Sequence, residues 1–370
     1  MSRYSGDPDF RHDSSVCLGI LLTNLGTPNA PNASALRKYL GEFLADPRVI
    51  ETPKFIWWFI LHGIILRTRP RKSAKMYAKV WSEAGSPLLR ISMKQQQAVQ
   101  AELDKRLAGP VKVVLAMRYG DPSIKSGMEQ LRQAGARRIV ILPLYPQYSA
   151  ATSASTFDAV SAVLKTWRWL PDIRFISHYH TEPGYIEAIA ARIRAHWQNE
   201  GRADRILFSY HGIPKHYFLA GDPYHCECHT TSRLIAEALE LQDDQWLTTF
   251  QSRFGPREWL RPYTDETLAG FPKQGIKSVQ MVCPGFSADC LETLEENNIQ
   301  NRNIFISNGG EQFTYVPALN DYGKHIEFLA DLIGKHIQGW PEADAHYSSE
   351  LDSQARAKRK QRALAMGAEQ

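Results

Sequence analysis

No apolar run in this 370-residue chain reaches the ~20 residues that a bilayer-spanning helix needs. The nearest approach is Phe-Ile-Trp-Trp-Phe-Ile-Leu-His-Gly-Ile-Ile-Leu over 55–66, a length typical of core or interfacial elements. Cysteine is scarce and odd in number, with Cys17, Cys226, Cys228, Cys283 and Cys290, so no structural disulfides are expected and reduced thiols in a cytoplasmic compartment are. The first fifteen residues lack an apolar core and carry Asp7, Asp9 and Asp13, which reads as a frayed terminus rather than a targeting signal. The net charge of +5 is modest, and no nucleic-acid motif accompanies the basic residues, so no nucleic-acid partner is expected. Glycine-rich phosphate loops are missing too: Asn24-Leu25-Gly26-Thr27-Pro28 follows a strand but lacks the dinucleotide or P-loop spacing.

What is present is a long alternation of short apolar runs with helical-period segments, the pattern of repeated βα units and mainly parallel sheets. Strands are predicted over 17–22, 111–117, 138–144, 173–178, 205–210, 246–251, 278–282 and 303–307. Helices are predicted over 34–44, 153–167, 184–198, 231–241 and 321–337. The length exceeds what one core usually supports, which argues for two domains. An internal echo suggests that they are related. Pro146-Gln147-Tyr148-Ser149-Ala150-Ala151-Thr152 aligns without gaps on Pro284-Gly285-Phe286-Ser287-Ala288-Asp289-Cys290, and Met117-Arg118-Tyr119-Gly120-Asp121-Pro122 resembles Ser209-Tyr210-His211-Gly212-Ile213-Pro214. The tail from Pro341 is polar and basic, and a solvated, partly disordered end is expected.

His211 stands where the strand predicted over 205–210 ends in a Gly…Pro break. Carboxyl ends of strands face the ligand crevice in open α/β sheets, and an imidazole titrates near neutrality, so His211 is a candidate for chemistry; a hydrogen-bonded structural histidine is the bland account. A second candidate set follows the strand predicted over 278–282. Glu292 and Glu296 share one helix face, Asp289 is expected on the same side, and Glu295 adds a further acid. Such a row is either a solvated acidic helix start or a ladder for cations or protons. His225-Cys226-Glu227-Cys228-His229 falls in a segment expected to be a loop. Its single-residue cysteine spacing and the lack of a matching second pair favour surface polar residues over a metal or cluster site. Downstream of the apolar run come Arg67, Arg69, Arg71, Lys72, Lys75 and Lys79. Together they suit a large, flat, greasy ligand with carboxylate arms, or an anionic membrane surface.

These motifs resemble those of the ferrochelatase family, whose members insert ferrous iron into protoporphyrin IX. The resemblance runs from about residue 19 to 337. It is carried by Leu22-Thr23-Asn24-Leu25-Gly26-Thr27-Pro28, Gly85-Ser86-Pro87-Leu88, Met117-Arg118-Tyr119-Gly120 and Leu142-Pro143-Leu144-Tyr145-Pro146-Gln147-Tyr148-Ser149. Further along it rests on Ser209-Tyr210-His211-Gly212-Ile213-Pro214, Gly221-Asp222-Pro223-Tyr224, Phe250-Gln251-Ser252-Arg253-Phe254-Gly255-Pro256, Trp259-Leu260 and Pro284-Gly285-Phe286-Ser287-Ala288-Asp289-Cys290-Leu291-Glu292-Thr293-Leu294.

The resemblance implies two Rossmann-like, doubly wound domains with parallel sheets flanked by helices and a porphyrin cleft between them. On that basis 1–15 is a flexible terminus, 16–150 with about 320–340 the first domain, 151–319 the second, and 341–370 the basic tail. It makes His211 and Glu292 the metal-site and proton-handling residues, and Leu25, Arg118, Tyr119, Trp259 and Phe286 pocket-lining positions. Asp289 and Glu296 become the acidic path, and 55–66 the hydrophobic lip. Fe2+ is then a substrate and no permanently bound cofactor is expected; the C-terminal cysteine-rich extension that holds a [2Fe–2S] cluster in animal members is absent. Gln300 stands where the acidic row can continue in relatives. The implied setting is cytoplasmic, peripheral to the inner membrane through the lip. Two other readings stay open: a non-catalytic porphyrin or haem carrier, and a chelatase for another tetrapyrrole such as coproporphyrin.

Overall fold

The computed structural model describes residues 4–7 and 10–369. Among them, strands β1 (Cys17–Gly26), β2 (Val111–Tyr119), β3 (Ala136–Pro143), β4 (Asp172–Phe175), β5 (Arg205–His211), β6 (Trp246–Gln251), β7 (Ser278–Val282) and β8 (Gln312–Tyr315) form two four-stranded sheets. Every pairing is parallel, and the orders are β2-β1-β3-β4 and β6-β5-β7-β8. Parallel strands are covered by helices on both faces and so read as unbroken apolar runs. In β1 the residues from Cys17 to Asn24 are all buried. One core runs from Leu18, Ile20 and Leu22 of β1 through Phe208 and Tyr210 of β5 to Ile189, Leu329 and Ile333 on the helices Pro183–Glu200 and Gly323–His336. The two halves therefore share a hydrophobic interior, in which each fully buried Leu, Ile or Phe contributes about 1.5–3 kcal/mol.

The two strand orders superimpose β5 on β1, β6 on β2, β7 on β3 and β8 on β4. The echo between 146–152 and 284–290 is therefore a true correspondence, since both segments follow equivalent strands. The other echo pairs the end of β2 with the end of β5, which are not equivalent. The topological counterpart of His211-Gly212-Ile213-Pro214 is Leu25-Gly26-Thr27-Pro28, with the same Gly-x-Pro spacing after the central strand of its sheet. At Gly26, φ is +110° and an added Cβ would lie 1.8 Å from the Tyr119 carbonyl oxygen, so only glycine fits where β1 and β2 end.

Several expectations are corrected. The boundary placed at 150 falls later, because β4 pairs with β3 in the first sheet. Helix Gly323–His336 packs against both Pro87–Arg106 of the first half and Pro183–Glu200, rather than belonging to one unit. The stretch 303–307 is helical (Arg302–Ser307), and the edge strand is β8. Phe305 is fully buried and Ile304 packs partly against the same core while Ile306 stays exposed, a helical pattern that so short an apolar run conceals. The His225 to His229 segment lies in the helix Tyr224–Ala238, where Asp222 accepts from the Tyr224 amide at 3.0 Å. The tail also forms a helix, Ser349–Ala365, capped by the Ser348 hydroxyl on the Leu351 amide. Its bases reach back to the N-terminal segment: Lys360 Nζ lies 2.6 Å from the Asp13 carboxylate and Arg359 Nε donates to the His12 carbonyl at 2.6 Å. Charge pairing across the chain supplies the partner that the tail's composition hid.

Candidate active site

His211 is the last residue of β5, half-buried at the carboxyl end of the central strand. Its Nδ1 lies 2.7 Å from the Gly212 carbonyl oxygen, which can only accept, so Nδ1 carries a proton and Nε2 is the ring nitrogen left for chemistry. The Trp259 ring stands beside it, 6.4 Å between centroids. Trp259 is fixed in turn by a bond from its indole Nε1 to the Phe254 carbonyl at 2.8 Å and by backbone pairing with Pro214.

The acidic residues sit on a π-helix, Glu292–Asn301, that a buried polar network ties to the sheet. The Gln251 side-chain carbonyl accepts from Ser209 at 2.7 Å and from the Asn297 amide, while Gln251 Nε2 and Asn297 Nδ2 donate to the Glu292 backbone carbonyl at 3.2 and 3.1 Å. Helices widened to the π form recur at functional sites. Here the widening lets Asn297 reach the carbonyl five residues earlier, so the Glu292 backbone is held by one side chain of the helix and one of β6. Ser252, directly after β6, has φ of +66°, an uncommon conformation outside glycine, and donates its hydroxyl to Glu296. Burial pushes the Glu296 carboxyl above its usual range; the Ser252 hydroxyl and His211 oppose this and Glu292 reinforces it.

Across from Glu292 lies the first half's Gly-x-Pro turn. Leu25, Gly26 and Thr27 line one small recess with Tyr77, Cys290 and Glu292. Burial raises the phenols of Tyr39, Tyr77 and Tyr145, and the Glu292 charge adds to it, so all three remain neutral hydroxyls facing that carboxylate. Leu25 and Phe286 pack on Leu88, Ile91, Ala288 and Cys290, joining the halves behind the acid. Arg118 and Tyr119 end β2. Arg118 Nε donates to the Ser155 carbonyl at 3.0 Å and its Nη2 to Asp46 at 2.5 Å, and the Tyr119 hydroxyl reaches Asp46 at 2.8 Å. Burial alone would raise the Asp46 carboxyl, but Ser155, the Arg48 amide, Tyr119 and Arg118 outweigh it and hold the group below its usual range.

Neighbouring contacts thus link Trp259 to His211, His211 and Glu292 to Glu296, Glu292 to Leu25 and Leu25 to Phe286, while Arg118 and Tyr119 end β2. Asp289 does not join the row. It precedes the helix, and its carboxylate accepts from the Tyr315 hydroxyl at 2.6 Å, Asn320 at 2.7 Å and Thr293 at 3.0 Å, which makes it an anchor between the helix start and β8. The expectation of one continuous face assumed α-helical spacing from Asp289 onward, and the chain is not yet helical there. Glu295 is fully buried against Lys79 Nζ at 2.8 Å and Gln300, so Gln300 serves Glu295 rather than interrupting the Glu292–Glu296 pair. Sequence reasoning missed Asp46, Gln251, Ser252 and Asn297. Ser209 bonds Gln251 from the neighbouring strand, where Gln251 stands in register with His211, but only the fold reveals that.

Two parallel sheets of identical order, with an imidazole at the end of β5 and paired carboxylates on the helix that follows its neighbour β7, are the arrangement of a metal-chelatase type of protein. The fold agrees: SirB from Bacillus subtilis, solved with Fe3+, superimposes with a TM-score of 0.53 over 89% of this chain and 100% of its own, at 11% identity, a likeness of fold alone. A ferrochelatase family profile matches residues 17–337. The chain is 56% identical over 366 residues to a ferrochelatase of Thioalkalivibrio sulfidiphilus, covering 99% of both, and 53% identical over 367 residues to one of Nitrosococcus oceani, covering 99% and 100%. The chain belongs to the ferrochelatase family.

Proposed function

We propose that this chain, an enzyme of that family, inserts Fe2+ into protoporphyrin IX, with His211 and Glu292 acting on the pyrrole nitrogens and the incoming ion. The observation that supports the assignment is that the Gly212 carbonyl occupies His211 Nδ1, which leaves Nε2 as the ring nitrogen available beside Glu292 and Glu296. The free-base macrocycle is flat and holds two N–H protons where the metal must enter, so two protons leave as Fe2+ binds. His211 Nε2 takes one, and the imidazolium so formed is stabilised by the adjacent carboxylates. Glu292 faces the ion and receives the second proton, and Glu296, already biased toward protonation by burial, relays it outward. Apolar contact with Leu25, Phe286 and Trp259 supplies binding energy to hold the ring bent, a strain of about 1–5 kcal/mol. Arg118 Nη1, the one guanidinium nitrogen without a bond to Asp46 or Ser155 here, suits a propionate arm.

Fe2+ is a substrate in this scheme and no resident cofactor takes part. Cys226 is exposed and Cys228 is buried. Among the described residues no helix is long and apolar enough to cross a membrane. The lip nevertheless exposes Phe55, Ile56, Trp58, Phe59 and Ile64 on one side of the helices Lys54–Ile60 and Leu61–Ile65, followed by exposed Arg67, Arg71, Lys72 and Lys75. Arg69 stacks over the Phe254 ring at 4.5 Å, which sets the lip beside the Trp259 side of the crevice. This supports peripheral contact of a cytoplasmic enzyme with an anionic membrane, from which a greasy substrate would enter. Replacing Trp58 and Phe59 together by serine is expected to cut co-sedimentation with anionic vesicles several-fold. Unchanged partitioning would remove the lip from that role.

The reaction itself is tested by mixing the full chain anaerobically with Fe2+ and either protoporphyrin IX or coproporphyrin. Many turnovers with a clear preference for protoporphyrin IX are expected. A single stoichiometric binding event without metallation would mean a carrier, and preference for coproporphyrin would reassign the substrate.

A further inference from the structure

We propose that His178, His180 and Glu227 form a second binding site, for a divalent first-row transition ion, separate from the His211–Glu292 crevice. The local sequence builds it. Beyond β4 the chain runs extended, and Tyr179 is buried in the core with its amide on the Pro146 carbonyl at 2.9 Å. Side chains alternate along an extended segment, so anchoring Tyr179 inward turns both flanking imidazoles to the opposite side. Glu227 meets them from the first turn of the helix Tyr224–Ala238, its Oε2 held by the Tyr148 amide at 2.7 Å.

The resulting donor set is compact. His178 Nδ1 stands 3.0 Å from Oε1 and His180 Nδ1 3.2 Å from Oε2, and the three ligand atoms lie within 4.8 Å of one another. Ligands around an ion bound at about 2.1 Å in tetrahedral geometry are about 3.4 Å apart, so small side-chain rotations suffice. One feature separates this trio from an ordinary buried ion pair: His180 Nδ1 is buried and makes no aligned hydrogen bond despite its closeness to the carboxylate. Two imidazoles and one carboxylate form the set that binds Fe2+, Co2+ or Zn2+ while leaving positions for water. Hard ions such as Mg2+ or Ca2+ prefer oxygen.

Position gives the site a consequence. His178 and His180 extend the first sheet's edge strand, whereas Glu227 belongs to a helix of the second half. The same helix contacts the turn after β3: Thr231 Oγ1 donates to the His180 carbonyl at 3.1 Å and accepts from Gln147 at 2.9 Å. An ion here clamps the two halves at the edge of the crevice. None of its ligands takes part in the reaction proposed above, so the site stands or falls independently of it.

The test uses Co2+ alone, added anaerobically to metal-free full-length protein carrying His211→Ala and Glu292→Gln. One equivalent is expected to bind, with visible ligand-field absorption. Adding His178→Ala, whose side chain is half exposed and therefore safe for folding, should weaken binding at least tenfold, and His180→Ala should do likewise. Melting temperatures in chelator should match across the series, and the upward shift caused by Co2+ should vanish with either histidine. Absence of Co2+ binding in the starting variant, or binding that survives removal of both histidines, overturns the site.

Discussion

Replacing His211 by alanine is expected to reduce iron insertion roughly 10²–10⁴-fold, the range associated with loss of a positioned general base, or about 3–5 kcal/mol added to the barrier. The protein should remain folded. The His211 side chain is half-buried, and the bond it makes among the described residues goes to the carbonyl of its own neighbour, so no distant element loses a partner. Gly212 and Trp259 keep their backbone anchors, since the Gly212 amide bonds the Gln251 carbonyl at 2.8 Å and Leu260 bonds Ile213 at 3.0 Å. Porphyrin affinity, followed by absorbance titration, should therefore change little while turnover collapses. Turnover within tenfold of the unsubstituted enzyme would take His211 out of the mechanism. Asparagine at the same position offers an amide in place of the Nε2 lone pair and should not rescue, whereas a purely structural role would tolerate it.

The separation between what could and could not be read from the chain follows the range of the interactions involved. Strands covered by helices, such as β1 and β5, show as largely apolar runs, and His211 is conspicuous because Gly212 and Pro214 break the run immediately after it. Local signals of this kind survive in one dimension. Arg302–Ser307 was misjudged because three apolar residues cannot distinguish a period of 2 from one of 3.6, and β4 was assigned to the wrong half because strand pairing is set by partners far away in sequence. The π-form of Glu292–Asn301 was invisible for a related reason. It is stabilised by Gln251 and Asn297 meeting at one carbonyl, and that encounter requires β6 to be in place. The same dependence explains why Asp289 looks like part of an acidic ladder: its side-chain hydrogen-bond donors come from β8, the turn before Gly323–His336, and the helix itself. His178, His180 and Glu227 left a weak trace, a His-x-His at a strand end, without any local hint of the distant carboxylate.

Glu292→Gln is expected to lower turnover by roughly 10²–10⁴-fold with porphyrin still bound, because it keeps shape and hydrogen-bonding capacity but removes both the charge facing the ion and the proton acceptor. The fold should tolerate it. The contacts that fix this residue run through its backbone carbonyl, which Gln251 and Asn297 hold regardless of the side chain. The substitution also relieves the like charge acting on Glu296. Burial would still raise that carboxyl, but the increment from Glu292 disappears while the Ser252 hydroxyl and His211 continue to pull it down, so Glu296 should ionise at a lower pH than in the unsubstituted protein. Infrared difference spectra recorded against pH can follow the carboxylate band of Glu296, with Glu296→Gln as the assignment control. A loss confined to kcat, together with that downward shift, would place Glu292 opposite the ion and in electrical contact with Glu296. Near-normal kcat, or a Glu296 band that titrates unchanged, would mean that the two acids are not one unit and that the second proton leaves by another route.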